Sequence, residues 1–274
     1  RCEVLQTKRH KSACCLSSGA LPVQCEELSI LAWFTIVAGE EMAKTPLVLV
    51  PGLLCDDALW KPQIDWLSDI AEPTVGDTLQ DDSLSNMAAR ILDSAPDRFA
   101  LAGLSMGGYV CMEIMRQAPE RVERLALLDT SGRADSAEQN KRRRDLIELA
   151  KIGKFKGVTP RLMPLLIHTE RQQDTALTTC VIDMASRVGQ QGFLRQQTAI
   201  MGRRSQLEAM RTYDLPVMVL CGREDALTPL ELHEEMADSI PDARLCIVEE
   251  CGHLSTLERP HAVTALLRDW LLRN

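Results

Sequence analysis

The chain has 274 residues, of which 45% are hydrophobic and 26% charged, and its formal net charge is −8. This length suits one large α/β domain or one domain with an insertion, and the apolar content is enough for a sizeable core. The acidic balance argues against nucleic acid as a main partner, and the short basic run Lys141 to Arg144 reads as a solvated helix face.

Residues 1–41 differ in character from the rest of the chain. They hold a basic patch (Lys8, Arg9, His10, Lys11), the cysteines Cys2, Cys14, Cys15 and Cys25, and an apolar run from Leu28 to Ala38. That run falls short of the ~20 apolar residues a bilayer span needs. Glu26 and Glu27 before it, with no small-x-small site after it, make a poor signal peptide. Met42 then opens a stretch that looks like an ordinary protein start. The expectation is an atypical N-terminal extension over 1–41. The alternative is that Leu31 to Val37 adds an edge strand or packs as a partner-binding or membrane-surface segment.

From Pro46 the pattern becomes regular. Leu47 to Val50 is a continuous apolar run, the mark of a strand buried on both faces of a parallel sheet. Ala58 to Leu67 reads as a helix, Thr74-Val75 as a weak strand, and Leu84 to Ser94 as an amphipathic helix capped by Ser83. Phe99 to Cys111 (FALAGLSMGGYVC) then runs from a buried strand through Gly103-Leu104-Ser105-Met106-Gly107 into a helix over Tyr109 to Arg116. Strand, tight turn and helix are the context a G-x-S-x-G match requires. A serine at such a tip takes a strained backbone, and side chains two residues either side would collide, hence the glycines. The plain alternative is a glycine-rich turn with an ordinary serine.

Leu125 to Leu128 is the next strand, ending at Asp129. Residues 133–210 are charged and helix-prone. They read as helices over Asp135 to Lys151, Arg161 to Ile167, Asp174 to Val188 and Gln190 to Met201. This is a helical insertion positioned to cover the C-terminal edge of the sheet as a cap. The core is thus 42–132 plus 211–274, with the cap at 133–210. Val217 to Cys221 and Leu245 to Val248 are the last strands, Glu231 to Ser239 and Pro260 to Leu272 the last helices. Alternating strands and helices predict an α/β fold with a mostly parallel sheet flanked by helices.

A serine hydroxyl needs a base to take its proton, and the base is usually a histidine oriented by a carboxylate. Among the five histidines, His253 alone follows Cys251-Gly252 just after the last strand, on the edge that carries Ser105. The acid belongs on that edge as well. Asp225, after the strand Val217 to Cys221, is the choice. Glu224 and Asp129 are competitors, and a turn-capping role is the other reading of Asp225. No C-x-x-C pair occurs, so no zinc or thioredoxin-like site is expected.

The pieces VLVPGLLCDDALW, GLSMGG, GREDALTP and ECGHLSTLERP together resemble the α/β-hydrolase superfamily, in its serine esterase and lipase-like branch, from about Lys44 to Asn274. The resemblance implies Ser105 as nucleophile, His253 as general base and Asp225 as its orienting acid. It also implies an oxyanion hole from the backbone N–H groups of Leu53 and Met106, with no metal or organic cofactor. Where many relatives have His-Gly in the oxyanion loop, this chain has Pro51-Gly52. No acidic residue replaces Ser105, which argues against a dehalogenase or epoxide-hydrolase nucleophile.

Leu54, Cys55 and Trp60, with Met106, are candidates to line an apolar acyl pocket that Leu162, Met163, Leu166 and Met201 would cover; packing in the core or cap is the competing role for each. The expected activity is hydrolysis of small to medium carboxylic esters through an acyl-enzyme, in a reducing cytoplasm, on a small-molecule ester. Homo-oligomer formation is left open. A lactonase, thioesterase, C–C bond hydrolase or cofactor-free perhydrolase on the same residues, and a non-catalytic receptor using the same pocket, are the alternatives.

Overall fold

The computed structural model of the chain describes residues 43–273. The readings for residues 1–41 and Met42 lie outside the described residues. The described residues form six strands, and each apolar run read from the sequence as a strand lies in one: β1 Thr45–Val50, β2 Ala71–Val75, β3 Phe99–Leu104, β4 Val122–Leu128, β5 Val217–Gly222 and β6 Arg244–Val248. All neighbours pair in parallel, in the order β2-β1-β3-β4-β5-β6. Parallel strands need crossover connections, and the crossovers place helices on both faces. Every residue of β3 and of β5 is accordingly buried. The edge strand β2 is longer than Thr74-Val75 and contains Pro73. An edge strand tolerates the backbone N–H missing from proline, because one of its sides has no neighbouring strand to donate to.

The described residues include seven helices of seven residues or more: α1 Lys61–Leu67, α2 Leu84–Ser94, α3 Met106–Gln117, α4 Ala137–Leu149, α5 Thr175–Met201, α6 Leu230–Ser239 and α7 Pro260–Leu272. The expected helix over Ala58 to Leu67 is a 3-10 turn, Asp57–Trp60, running into α1, with the Asp56 side chain accepting from the Ala58 N–H. Ser83 caps α2 by accepting from the Asn86 N–H at 3.2 Å. Ser136 and Gln139 close a reciprocal capping box on α4. Alternate strand residues face opposite ways, which builds two cores. Leu47, Leu49, Ala100 and Ala102 pack with Trp60, Leu67 and Leu267 on one face. Val48, Val50 and Leu101 pack with Met87, Ile91 and Val110 on the other.

The two expected helices Asp174 to Val188 and Gln190 to Met201 run together as α5, but the break between them is real. Gly189 has φ 67° and ψ −176°, far from helical values. Residues 133–210 belong to the same compact unit as the sheet, which begins at Lys44. No described helix is long and apolar enough to cross a membrane.

Register decides where chemistry collects. Val50 lies beside Gly103, Leu104 beside Leu128, Leu128 beside Leu220, and Gly222 beside Val248. The residues that follow these strand ends, Pro51, Ser105, Asp129, Arg223 and Glu249, therefore emerge along one edge.

Candidate active site

Ser105 sits between β3 and α3 with φ 56° and ψ −115°. Such a conformation is strained for a residue with a Cβ and persists only where its surroundings enforce it. The enforcing contacts are backbone to backbone. A Cβ on Gly103 would lie 2.4 Å from the Gly107 carbonyl oxygen, and one on Gly107 would lie 2.1 Å from that of Val50. The Ser105 N–H donates to Leu128 O at 2.9 Å, and Thr130 Oγ1 donates to Ser105 O at 2.7 Å. Strand and helix thus close on the serine from both sides and leave its hydroxyl at the tip. Met106 opens α3, so its N–H is among the first-turn donors that a helix leaves without an internal acceptor.

His253 is brought to that hydroxyl by the loop after β6. Its Nε2 lies 2.9 Å from Ser105 Oγ, and its Nδ1 lies 2.8 Å from Asp225 Oδ2 and 3.0 Å from Oδ1. A carboxylate only accepts, so Nδ1 carries the proton and Nε2 accepts from the serine. Asp225 also accepts from the Leu227 and Thr228 N–H groups at 2.8 and 2.9 Å, and from Thr228 Oγ1 at 2.6 Å. The same carboxylate therefore both caps the turn after β5 and bonds the His253 ring.

The electrostatics follow from burial and pairing. His253 and Asp225 are each only 3% exposed. Burial alone would lower the His253 pKa. The Asp225 charge and hydrogen bond, with Asp129 and Glu258 nearby, outweigh it and hold the imidazole above its ordinary value. Burial would raise Asp225, but the His253 charge and the His253 and Thr228 hydrogen bonds hold it below the usual carboxylate range. A general base pairs with an orienting acid in this way.

The two competitors for the acid do other work. Asp129 is fully buried; its Oδ1 accepts from the Gly222 N–H at 2.9 Å and its Oδ2 from Ser255 Oγ at 2.5 Å. Burial, and then the Asp225 charge, push its pKa well up. Glu224 Oε2 accepts from the Cys251 N–H at 3.0 Å, tying the acid loop to the histidine loop.

One residue that sequence reasoning passed over, Glu258, fastens the histidine loop. Glu258 is buried and accepts from the Leu254 N–H at 3.2 Å and from the His168 N–H at 2.6 Å. The His253 N–H itself donates to Leu166 O at 3.1 Å. The loop carrying His253 is thus fastened to residues 166–168 of the helical segment. Glu258 lies five residues beyond His253 in the stretch ECGHLSTLERP, and that proximity is its one sequence signal.

The expected pocket residues separate. Trp60 is fully buried in the core with Leu47 and Leu49, so it packs the sheet and presents no surface to a substrate. Cys55 belongs to the same core, and burial lifts its thiol pKa to about 12. Leu54 instead packs with Ala185, Val188 and Phe193 of α5. Leu53 touches both that cluster and the one formed by Met106, Tyr109 and Ile200. Of the candidates to cover the site, Met163 is buried and packs in the core with Cys251 and Leu254, beside His253, whereas Leu162 is 39% exposed. Two open surface clefts, of about 670 and 570 Å³, lie elsewhere, the first lined by Arg211, Glu231 and Glu235 and the second by Asp77, Arg90 and Asp93.

A six-stranded parallel sheet with a serine turn after β3 and a histidine loop after β6 defines a hydrolase architecture, and the chain belongs to the alpha/beta hydrolase family. The family's model matches residues 47–266. The chain is 32% identical over 182 residues to a Mycobacterium tuberculosis H37Rv protein named as a non-heme bromoperoxidase, BpoC, covering 65% of this chain and 69% of that one. It is 28% identical over 196 residues to a pimeloyl-acyl-carrier-protein methyl ester esterase of Nitrosomonas europaea, covering 65% and 73% of the two chains. A thermophilic esterase from Thermogutta terrifontis superimposes with a TM-score of 0.75 at 27% identity, covering 83% of this chain and 89% of that one.

Proposed function

We propose that the chain is a serine hydrolase that cleaves carboxylic esters of small to medium acyl chains through an acyl-enzyme on Ser105. The observation that carries this reading is the continuous line of hydrogen bonds from Ser105 Oγ through His253 to Asp225. His253 Nε2 takes the hydroxyl proton as Oγ attacks the ester carbon. Charge then develops on the carbonyl oxygen, where the N–H groups of Leu53 and Met106 stabilise it. His253 returns the proton to the departing alkoxide, and a water activated by His253 hydrolyses the acyl-enzyme. Asp225 holds the tautomer and balances the imidazolium. The helical segment 133–210 serves as the cap.

Two relatives bear the name esterase, which supports an ester as substrate. Hydrolysis of p-nitrophenyl esters of graded acyl length, run beside Ser105→Ala and with intact mass after a fluorophosphonate, tests the reading. Turnover and a single adduct, both lost in Ser105→Ala, are the expected result. An adduct without ester turnover would redirect the substrate to a lactone, thioester or C–C bond. Neither adduct nor turnover from folded protein would overturn the catalytic reading in favour of a receptor.

A further inference from the structure

The oxyanion donor assigned to Leu53 sits in a four-residue turn, Gly52 to Cys55, closed by the Cys55 N–H donating to Gly52 O at 3.1 Å. The turn abuts the nucleophile: a Cβ on Gly52 would lie 3.4 Å from that of Ser105. Its third residue, Leu54, has φ 59°. A positive φ at that position is the signature of the turn type that favours glycine or asparagine there, and a leucine holds it only under constraint. The constraint is visible. The Leu54 N–H donates to Gln196 Oε1 at 3.0 Å, and both groups are buried. Gln196 has no exposed surface, and its Nε2 lies 3.3 Å from Thr78 Oγ1 and 3.5 Å from the Thr78 carbonyl oxygen. That carbonyl only accepts and the Leu54 N–H only donates, which fixes which end of the amide faces the turn.

We infer that Gln196, in the second half of α5, is a positioning residue that holds the Gly52–Cys55 turn in the form that aims the Leu53 N–H at the oxyanion. The inference rests on the proposed serine hydrolase function. The physical argument is a peptide flip. The two common turn types differ by a half-rotation of the middle peptide, here the one joining Leu53 to Leu54. An acceptor placed on the Leu54 N–H selects one of the two. Without it, that N–H is buried and unpaired, and the strain at Leu54 is released by rotating the peptide. Rotation swings ψ of Leu53 by about 150° and disturbs the residue whose own N–H is the donor. Misplacement of such a group by about 1 Å is worth about 100-fold in rate. The first half of α5, before Gly189, grips this loop as well, through Arg187 and Asp56 at 2.6 Å. The helical segment thereby builds part of the catalytic machinery as well as covering it.

The test uses Gln196→Met, which keeps the volume and removes the acceptor, and Gln196→Glu, which keeps an acceptor for the Leu54 N–H. Both are assayed on one p-nitrophenyl ester at pH 8, with a boronic acid as tetrahedral mimic and a thermal melt on each. Gln196→Met is expected to lower kcat by about 10- to 100-fold with KM within about twofold, and to weaken the boronic acid by the same factor. Gln196→Glu is expected to recover most of kcat. Should Gln196→Met fail to fold, Thr78→Val removes the hydroxyl partner of the amide and leaves it only the 3.5 Å contact with the Thr78 carbonyl oxygen, and a lower kcat at unchanged KM is again the expected result. A wild-type kcat in folded Gln196→Met, or in Thr78→Val where that variant stands in for it, overturns the inference. So does an equal loss in folded Gln196→Met and Gln196→Glu, which would make Gln196 a packing residue. Turnover surviving in Ser105→Ala under the same assay would overturn the hydrolase reading itself, a failure distinct from the other two.

Discussion

His253 has carboxylates on several sides, and the balance among them sets its titration. Asp225 bonds it directly, while Asp129 and Glu258 act through their charge. In the proposed mechanism His253 works only when neutral. Because its pKa is held above the ordinary value of about 6.5, kcat/KM is expected to fall with decreasing pH already above 6.5. Asp225→Asn removes the largest cause of the rise and leaves burial, which acts the other way, opposed only by Asp129 and Glu258. Its acid limb is therefore expected at lower pH, and kcat is expected to drop on the order of 10⁴-fold through loss of the correct tautomer. A pH–rate profile of the two proteins checks both. Asp129→Asn is expected to remain within about tenfold of wild type, because an amide can accept from Gly222 N–H and donate to Ser255 Oγ. The reverse pattern would move the acid to Asp129.

At the scale of elements, α5 is two helices joined by a residue that no other side chain replaces cheaply. A Cβ on Gly189 meets nothing within 4 Å, so sterics against neighbours do not explain the glycine. Its φ and ψ do. Gly189→Ala is expected to cost about 1–3 kcal/mol, read as a lower urea midpoint at unchanged slope. The join between α4 and the end of α5 is electrostatic. Asp135, with its side chain 1% exposed, forms an ion pair with Arg203 Nη2 at 2.9 Å and accepts from Arg143 Nε at 2.6 Å. Arg203 also lies 4.0 Å above the Tyr109 ring. Asp135→Asn leaves two largely buried guanidinium groups without their counter-charge. A loss of about 3–5 kcal/mol is expected, far more than from removing the exposed Lys141–Asp145 pair, worth less than about 1 kcal/mol.

Across the whole molecule, β4 and α6 are pinned together by a neutral imidazole. The buried His233 Nε2 accepts from the Thr130 N–H at 3.0 Å, and its Nδ1 faces Pro229 O at 3.3 Å. Burial dominates its titration and pulls its pKa down to about 4. Between about pH 6.5 and 4 the unfolded chain therefore binds a proton at this histidine that the folded chain does not. Stability falls as pH drops through that window, by about 3 kcal/mol from this group alone. His233→Gln, whose amide oxygen can accept from Thr130, is expected to lose less stability between pH 7 and pH 4.5 than wild type does. Equal losses in the two proteins, measured by urea denaturation, would show that other groups carry the acid sensitivity.

The strands, most of the helices and the serine turn were legible in the residues alone. Their causes lie within a few residues: continuous apolar runs, caps such as Ser83, and the spacing of Gly103 and Gly107 around Ser105. The sequence also placed His253 and three carboxylates on one edge, because strand ends in a parallel sheet share an edge. Asp225 was the choice among three carboxylates on that edge, and the contact itself exists only in the folded chain. Asp129 and Asp225 both follow apolar strands, and only the path of each loop separates one that bonds His253 from one that bonds Ser255. The same holds for Trp60, whose aromatic ring suits a pocket wall or a core equally until the sheet is laid beside it. Gln196 was invisible for the same reason. It meets Leu54 across 142 positions of chain. A pairing that distant leaves no periodicity, motif or composition in the sequence, since it exists only once the sheet and the helical segment have packed.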